Sequence, residues 1–156
     1  NTCAAAIKAV KDLKFNYITI HTNCGLDALK AAKKVAGKSK LIGVTTLTSL
    51  NNKSLREIGF NSNLNNVVLQ QAKLARKANL DAIVCSPKEV KLVKKVFKKE
   101  IITPGIRFNS KTNDQKRILT PRQAYKNGSD WLVIGRPITK GDIRRNIKRL
   151  IDHLNQ

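Results

Sequence analysis

Methionine is absent, and the chain opens on Asn1-Thr2-Cys3, so translation is expected to begin upstream of Asn1. Cysteine is scarce: Cys3, Cys24 and Cys85 are odd in number, widely spaced and without a CxxC pair. That pattern argues against a disulfide framework or a zinc site and for reduced structural thiols in a cytoplasmic protein. No uncharged apolar run approaches the roughly 18 residues that cross a bilayer. The lysine-bearing first segment does not have the form of a secretory signal. Aromatic residues make up only 4% of the chain and are not interleaved with the basic ones, which argues against a surface that stacks bases. Acidic residues are the fourth shortage, with 10 Asp+Glu against 31 Lys+Arg and a net charge of +21. Such a balance points first to nucleic acid. The lysines, however, are spread over every expected helix instead of forming one arm, and coding bias toward Lys, Ile and Asn gives the same picture. Specific nucleic-acid binding is not expected.

What is present is an alternation of short apolar runs with amphipathic ones. Residues 3–13 are expected to form a helix, with Ile7, Val10 and Leu13 on one face. Tyr17-Ile18-Thr19-Ile20-His21 is expected as a strand, 25–36 as a helix stopped by Gly37, and 41–47 as a strand. A polar connection over 51–63 holds a short helical piece, and a helix over 64–78 follows. Further strands are expected at 81–86, 101–106 and 131–134, the last fully buried, with helices over 88–99, 121–127 and 142–154. The 88–99 helix presents a solvated lysine face, and Ile143, Ile147, Leu150, Ile151 and Leu154 trace one stripe on the last. Thr139 and Asp142 stand before that helix at capping-box-like spacing. Strands and helices thus alternate five times. Short apolar strands of this kind belong to a parallel sheet covered on both faces. The alternation fits either an open doubly wound sheet or a (β/α)8 barrel lacking about three units on its N-terminal side.

Polar residues recur where these strands end: His21, Thr48, Ser86, Arg107 and Arg136. At Gly135-Arg136-Pro137 the glycine leaves a backbone amide open to a ligand, and the arginine supplies a planar fork matched to phosphate or carboxylate. His21 is read as a strand-end histidine without a role, and Cys85 as a small buried apolar group. A polar loop over 108–119 is long enough to suggest function and is expected to close over a ligand.

Three segments stand together in order: Asp81-Ala82-Ile83-Val84-Cys85-Ser86, Thr103-Pro104-Gly105-Ile106-Arg107 and Val133-Ile134-Gly135-Arg136-Pro137-Ile138-Thr139. Asn113-Asp114-Gln115-Lys116-Arg117 and Thr120-Pro121 lie between the second and third, and Val44-Thr45-Thr46-Leu47-Thr48-Ser49 precedes them all. Together they closely resemble bacterial-type orotidine 5'-phosphate decarboxylases, over about residues 1–152.

The resemblance implies a (β/α)8 barrel of which this single domain supplies roughly the last five βα units. It also implies decarboxylation of orotidine 5'-phosphate to uridine 5'-phosphate in pyrimidine synthesis without a metal or organic cofactor. Gln115, Gly135 and Arg136 fall on the phosphate positions, and Thr48 on the hydroxyl that addresses the pyrimidine amide edge. Arg107 matches an arginine of the nucleotide site, and a structural pair with Asp114 is its alternative role. A homodimer is implied, with the residue matching Thr2 reaching the partner's site.

The family's Asp-x-Lys-x-x-Asp motif, with the lysine that protonates the developing carbanion, is absent from these residues. Asn1-Thr2 match the end of the Ile-Pro-Asn-Thr segment that follows it, so no catalytic residue is assigned here and the chain alone is expected to be inactive. Thr22-Asn23-Cys24 also interrupt the family's usual small-residue run after the strand-end histidine. Two alternatives remain: a phosphate-binding barrel lyase of the hexulose phosphate synthase kind, which needs a metal, or a basic nucleic-acid-binding module. No Asp/Glu/His cluster with metal spacing favours the former.

Overall fold

A computed structural model describes residues 1–108 and 117–155. Gln115, Asp114 and the centre of the expected closing loop lie outside the described residues. The strands are β1 (Tyr17–His21), β2 (Lys40–Val44), β3 (Ala82–Val84), β4 (Glu100–Thr103) and β5 (Trp131–Leu132). The α-helices are α1 (Thr2–Ala9), α2 (Leu26–Val35), α3 (Asn52–Glu57), α4 (Leu64–Lys77), α5 (Val90–Lys94), α6 (Pro121–Asn127), α7 (Arg136–Thr139) and α8 (Ile143–Asn155).

All pairings are parallel, and the strand order is β1-β2-β3-β4-β5. A doubly wound sheet reverses its order at a switch point, whereas this one never does. Right-handed crossovers between successive neighbours put every connecting helix on one face. The result is a five-stranded arc of a (β/α)8 barrel. Leu41, Ile83 and Ile101 point to the helical side, where they pack with Leu29, Val68 and Phe97. Gly43 lies on the same side, and a Cβ there would stand 2.8 Å from Leu80 Cδ1 and 3.0 Å from Thr22 Cγ2. Only glycine lets β2 lie this close to its helices.

The opposite face lacks a covering layer at its margins. Trp131 is 56% and Val133 53% exposed, so the expected burial of 131–134 is not met, and the regular strand ends at Leu132. β5 is an edge strand, and nothing among the described residues lies over its inner side. At the N-terminal end of this face Glu100 gathers the neighbouring strands. Its carboxylate accepts from Tyr17 Oη and Trp131 Nε1, each at 3.1 Å, and pairs with Lys40. The Lys40 hydrogen bond, with those of Tyr17 and Trp131, holds the Glu100 carboxyl below its usual range.

Local chemistry explains the helix ends. Thr120 and Gln123 form a capping box with Pro121 in the first turn, and Gly128 closes α6 at φ 102°. α5 is only five residues long, against the expected 88–99, although Val90, Val93 and Phe97 are buried as the pattern requires. Leu13 is 64% exposed, and the first helix gives way to a 3₁₀ turn at Lys11–Leu13. At α8, Asp142 itself accepts from the Arg145 N–H at 3.1 Å, so it acts as the cap and not as the acidic partner of Thr139. The apolar stripe of α8 is uncovered, with Ile143, Ile147 and Ile151 about half exposed.

Candidate functional site

Parallel pairing puts every strand's C-terminal end on one rim, and the rim is built by hydrogen bonds from below. Thr22 Oγ1 donates to the Val44 carbonyl at 2.9 Å, and Thr45 Oγ1 donates to the Val84 carbonyl at 2.8 Å. Beyond them Gln71, 4% exposed on α4, accepts from Thr46 N–H at 2.9 Å and Thr46 Oγ1 at 3.0 Å. Its amide nitrogen donates to Asn23 Oδ1 at 2.6 Å. These contacts hold the end of β2 open as one wall of a cleft of about 270 Å³, lined by Thr46, Leu47, Thr48, Val84, Cys85 and Pro104 among others. Thr48 therefore sits where a strand-end hydroxyl can meet a bound group. Burial pushes the Cys85 thiol far above its ordinary value, so it stays protonated at neutral pH.

Arg107 follows β4. Its backbone N–H donates to the Leu119 carbonyl at 3.1 Å, and Nη1 donates to the Ile106 carbonyl at 2.8 Å. Gly135 and Arg136 follow the neighbouring β5, so the two arginine-bearing motifs end adjacent strands. A Cβ on Gly135 would meet nothing within 4 Å, which leaves its amide approachable. Its carbonyl accepts from Ile138 N–H at 2.9 Å and Thr139 N–H at 3.1 Å, turning Arg136 onto the rim at the start of α7. Thr2 starts α1, which leads into β1 and so begins at the same rim. Burial and the nearby Cys3 thiol push Cys24, just past the end of β1, above its ordinary value. Thr2 is thus on the rim, but at the β1 margin, opposite the β5 margin that carries Arg136.

One pair was not foreseen. Arg117 and Glu89, 7% and 3% exposed, form a buried ion pair under the cleft. Burial raises the Glu89 carboxyl above its ordinary value, against the opposing pull of Arg117. A glutamate directly after Cys85-Ser86-Pro87-Lys88, in a chain short of acids, was the available signal. A larger open space, about 760 Å³, runs along α8 between Lys140 and Asp152. It is the uncovered flank of that helix and not a strand-end recess. Among the described residues no group of three or more His, Cys, Asp or Glu could hold a metal, and no helix is long and apolar enough to cross a membrane.

The family model for the Orotidine 5'-phosphate decarboxylase / HUMPS family matches residues 1–149. The chain belongs to this family. An orotidine 5'-phosphate decarboxylase of Wolbachia pipientis subsp. Culex pipiens is 44% identical over 144 residues, covering 90% of this chain and 64% of the relative. That of Haemophilus influenzae is 41% identical over 160 residues, covering 97% and 70%. The chain thus spans about two thirds of the length of such relatives. Among solved structures, orotidine 5'-phosphate decarboxylase from Lactobacillus acidophilus superposes with a TM-score of 0.82 at 30% identity, covering all of this chain and 70% of that one. The enzyme from Methanocaldococcus jannaschii, complexed with the inhibitor BMP, gives 0.70 at 22% identity over 98% and 69%, a likeness of fold.

Proposed function

We propose that this chain carries the nucleotide-binding part of an orotidine 5'-phosphate decarboxylase that makes uridine 5'-phosphate for pyrimidine synthesis. The observation that carries the proposal is the rim. The Gly135-Arg136 turn and Arg107 end adjacent strands, and the Thr48 cleft opens beside them at the ends of β2, β3 and β4. The Gly135 amide and the Arg136 fork bind the phosphate, Gln115 joins them from the 108–119 loop, and Arg107 supports the nucleotide from β4. The Thr48 hydroxyl donates to and accepts from the amide edge of the base.

Decarboxylation breaks the bond from the ring to the carboxylate, leaves the electron pair on the ring carbon and releases carbon dioxide. A proton must then reach that carbon. No side chain assigned to the rim is a suitable donor, and the proton comes from the lysine of an Asp-x-Lys-x-x-Asp segment outside these residues. In the homodimer, Thr2 reaches the partner's nucleotide. Phosphate binding far from the reacting carbon adds to catalysis when it is used to assemble the site.

The test is turnover by the full-length protein that contains these residues, followed by the loss of orotidine 5'-phosphate absorbance. Turnover is expected to be unchanged after exhaustive chelation, because no metal takes part. Failure to turn over this substrate, or a metal requirement, would assign the site to another phosphate-binding lyase.

A further inference from the structure

The buried pair beneath the cleft has a geometry that a simple staple does not need. The guanidinium of Arg117 faces three successive carbonyls of the β2 end. Nη2 donates to the Thr46 carbonyl at 3.1 Å and, at shorter range, to that of Leu47, while Nε lies 3.5 Å from the Thr48 carbonyl. Nη1 pairs with the Glu89 carboxylate. Glu89 is fixed in turn by the Ser86 N–H at 3.2 Å, and Ser86 Oγ donates back to the Arg117 carbonyl at 3.2 Å. From the other side Gln71 holds the N–H and hydroxyl of Thr46. Residues 46–48 are therefore gripped through their carbonyls by one side chain and through an N–H by another, and this short segment, Thr48 included, lines the cleft.

Only a planar fork can serve a carboxylate and several carbonyls at once; a lysine ammonium is a point charge on a flexible stem. Taking both charges out of water is unfavourable, and an apolar pair of similar volume often folds as well or better. The charges are therefore better explained by what Arg117 orients than by stability alone.

We infer that Arg117, clamped by Glu89, is a positioning residue that sets residues 46–48, and with them Thr48, against the base of the bound nucleotide. The inference takes the nucleotide site proposed above as given. It also links the segment following β3, through Glu89, to the wall that reads the base, whereas Gly135 and Arg136 reach the phosphate from the turn after β5.

The test compares uridine 5'-phosphate with ribose 5-phosphate, which has the phosphate and sugar but no base, by calorimetry on the full-length protein. The ratio of their affinities isolates recognition of the base. In Arg117→Lys this ratio is expected to fall by about tenfold, the equivalent of one well-formed hydrogen bond between neutral groups, with ribose 5-phosphate affinity kept within about twofold. The double variant Arg117→Met/Glu89→Leu removes both charges while keeping the packing. It is expected to fold, with a melting temperature lowered only by the backbone groups of Ser86 and residues 46–48 that it leaves unpaired, and to show the same loss of base recognition.

Equal weakening of both ligands, or an unchanged ratio in a folded variant, overturns the positioning role. If neither variant folds, the pair is a structural staple and the inference is rejected. Wild-type protein that binds neither ligand would instead refute the nucleotide site itself.

Discussion

Replacing Arg136 by alanine in the full-length protein is expected to lower kcat/KM for orotidine 5'-phosphate by roughly 10²- to 10⁴-fold, while turnover of orotidine, which lacks the phosphate, changes by no more than about twofold. Two charge-assisted hydrogen bonds from a guanidinium fork are worth about 1.5–3 kcal/mol each, and about 1.4 kcal/mol is tenfold in rate. Arg136 opens a four-residue helix on an exposed rim, and Pro137 and the Gly135 carbonyl already set the turn, so the substitution leaves the backbone supported. The contrast between substrates separates phosphate binding from general damage. An equal loss with both would make Arg136 a structural residue and remove the centre of the phosphate site.

A polypeptide of these 156 residues alone is expected not to turn over orotidine 5'-phosphate and not to melt cooperatively. Adding the barrel units that relatives carry beyond it, as a fusion or a second chain, is expected to restore both. Two unfinished surfaces motivate this. Among the described residues β1 and β5 each present an unpaired parallel edge, and Tyr17, Trp131 and Val133 are exposed on the inner side of the arc. Along α8, Ile143, Ile147, Ile151 and Leu154 remain 37–52% exposed. Covering half of such a side chain contributes about 1 kcal/mol, so the four together approach ~4 kcal/mol, close to the whole net stability of a marginal domain. Unpaired edges of this kind also template aggregation. Circular dichroism melts and the absorbance assay, before and after complementation, are the measurements. Cooperative melting and turnover by the 156 residues alone would show that the proton donor and a sufficient core both lie within them.

The parts of the fold governed by local chemistry were legible from residue types. Tyr17–His21 was expected as a strand and is one end to end. Pro121–Asn127, with Thr120, Gln123 and Gly128 around it, carries its own start and stop signals. What could not be read depends on partners distant in sequence or missing from it. The run at Trp131 has the composition of a buried strand, but burial needs a covering layer, and here the strand is an edge. Leu13 extends a helical pattern that the turn at Lys11–Leu13 cuts short. Arg117 meets Glu89 across 28 residues and Thr46 across 71, and Gln71 meets Thr46 across 25. No periodicity or spacing carries such separations. Arg107, Gly135, Arg136 and Thr48 were singled out as strand-end residues, and the parallel sheet does place them on one rim. Gln115 lies outside the described residues, so its place on that rim stands as part of the proposal.

The most direct measurement is a crystal structure of the full-length protein with uridine 5'-phosphate bound. The expected result is a phosphate within hydrogen-bond distance of the Gly135 amide and the Arg136 guanidinium, with the uracil amide edge on the Thr48 hydroxyl in the cleft between the ends of β2 and β4. A nucleotide held elsewhere, for instance by Lys140, Arg145 and Arg149 along α8 with the strand-end cleft empty, would contradict it.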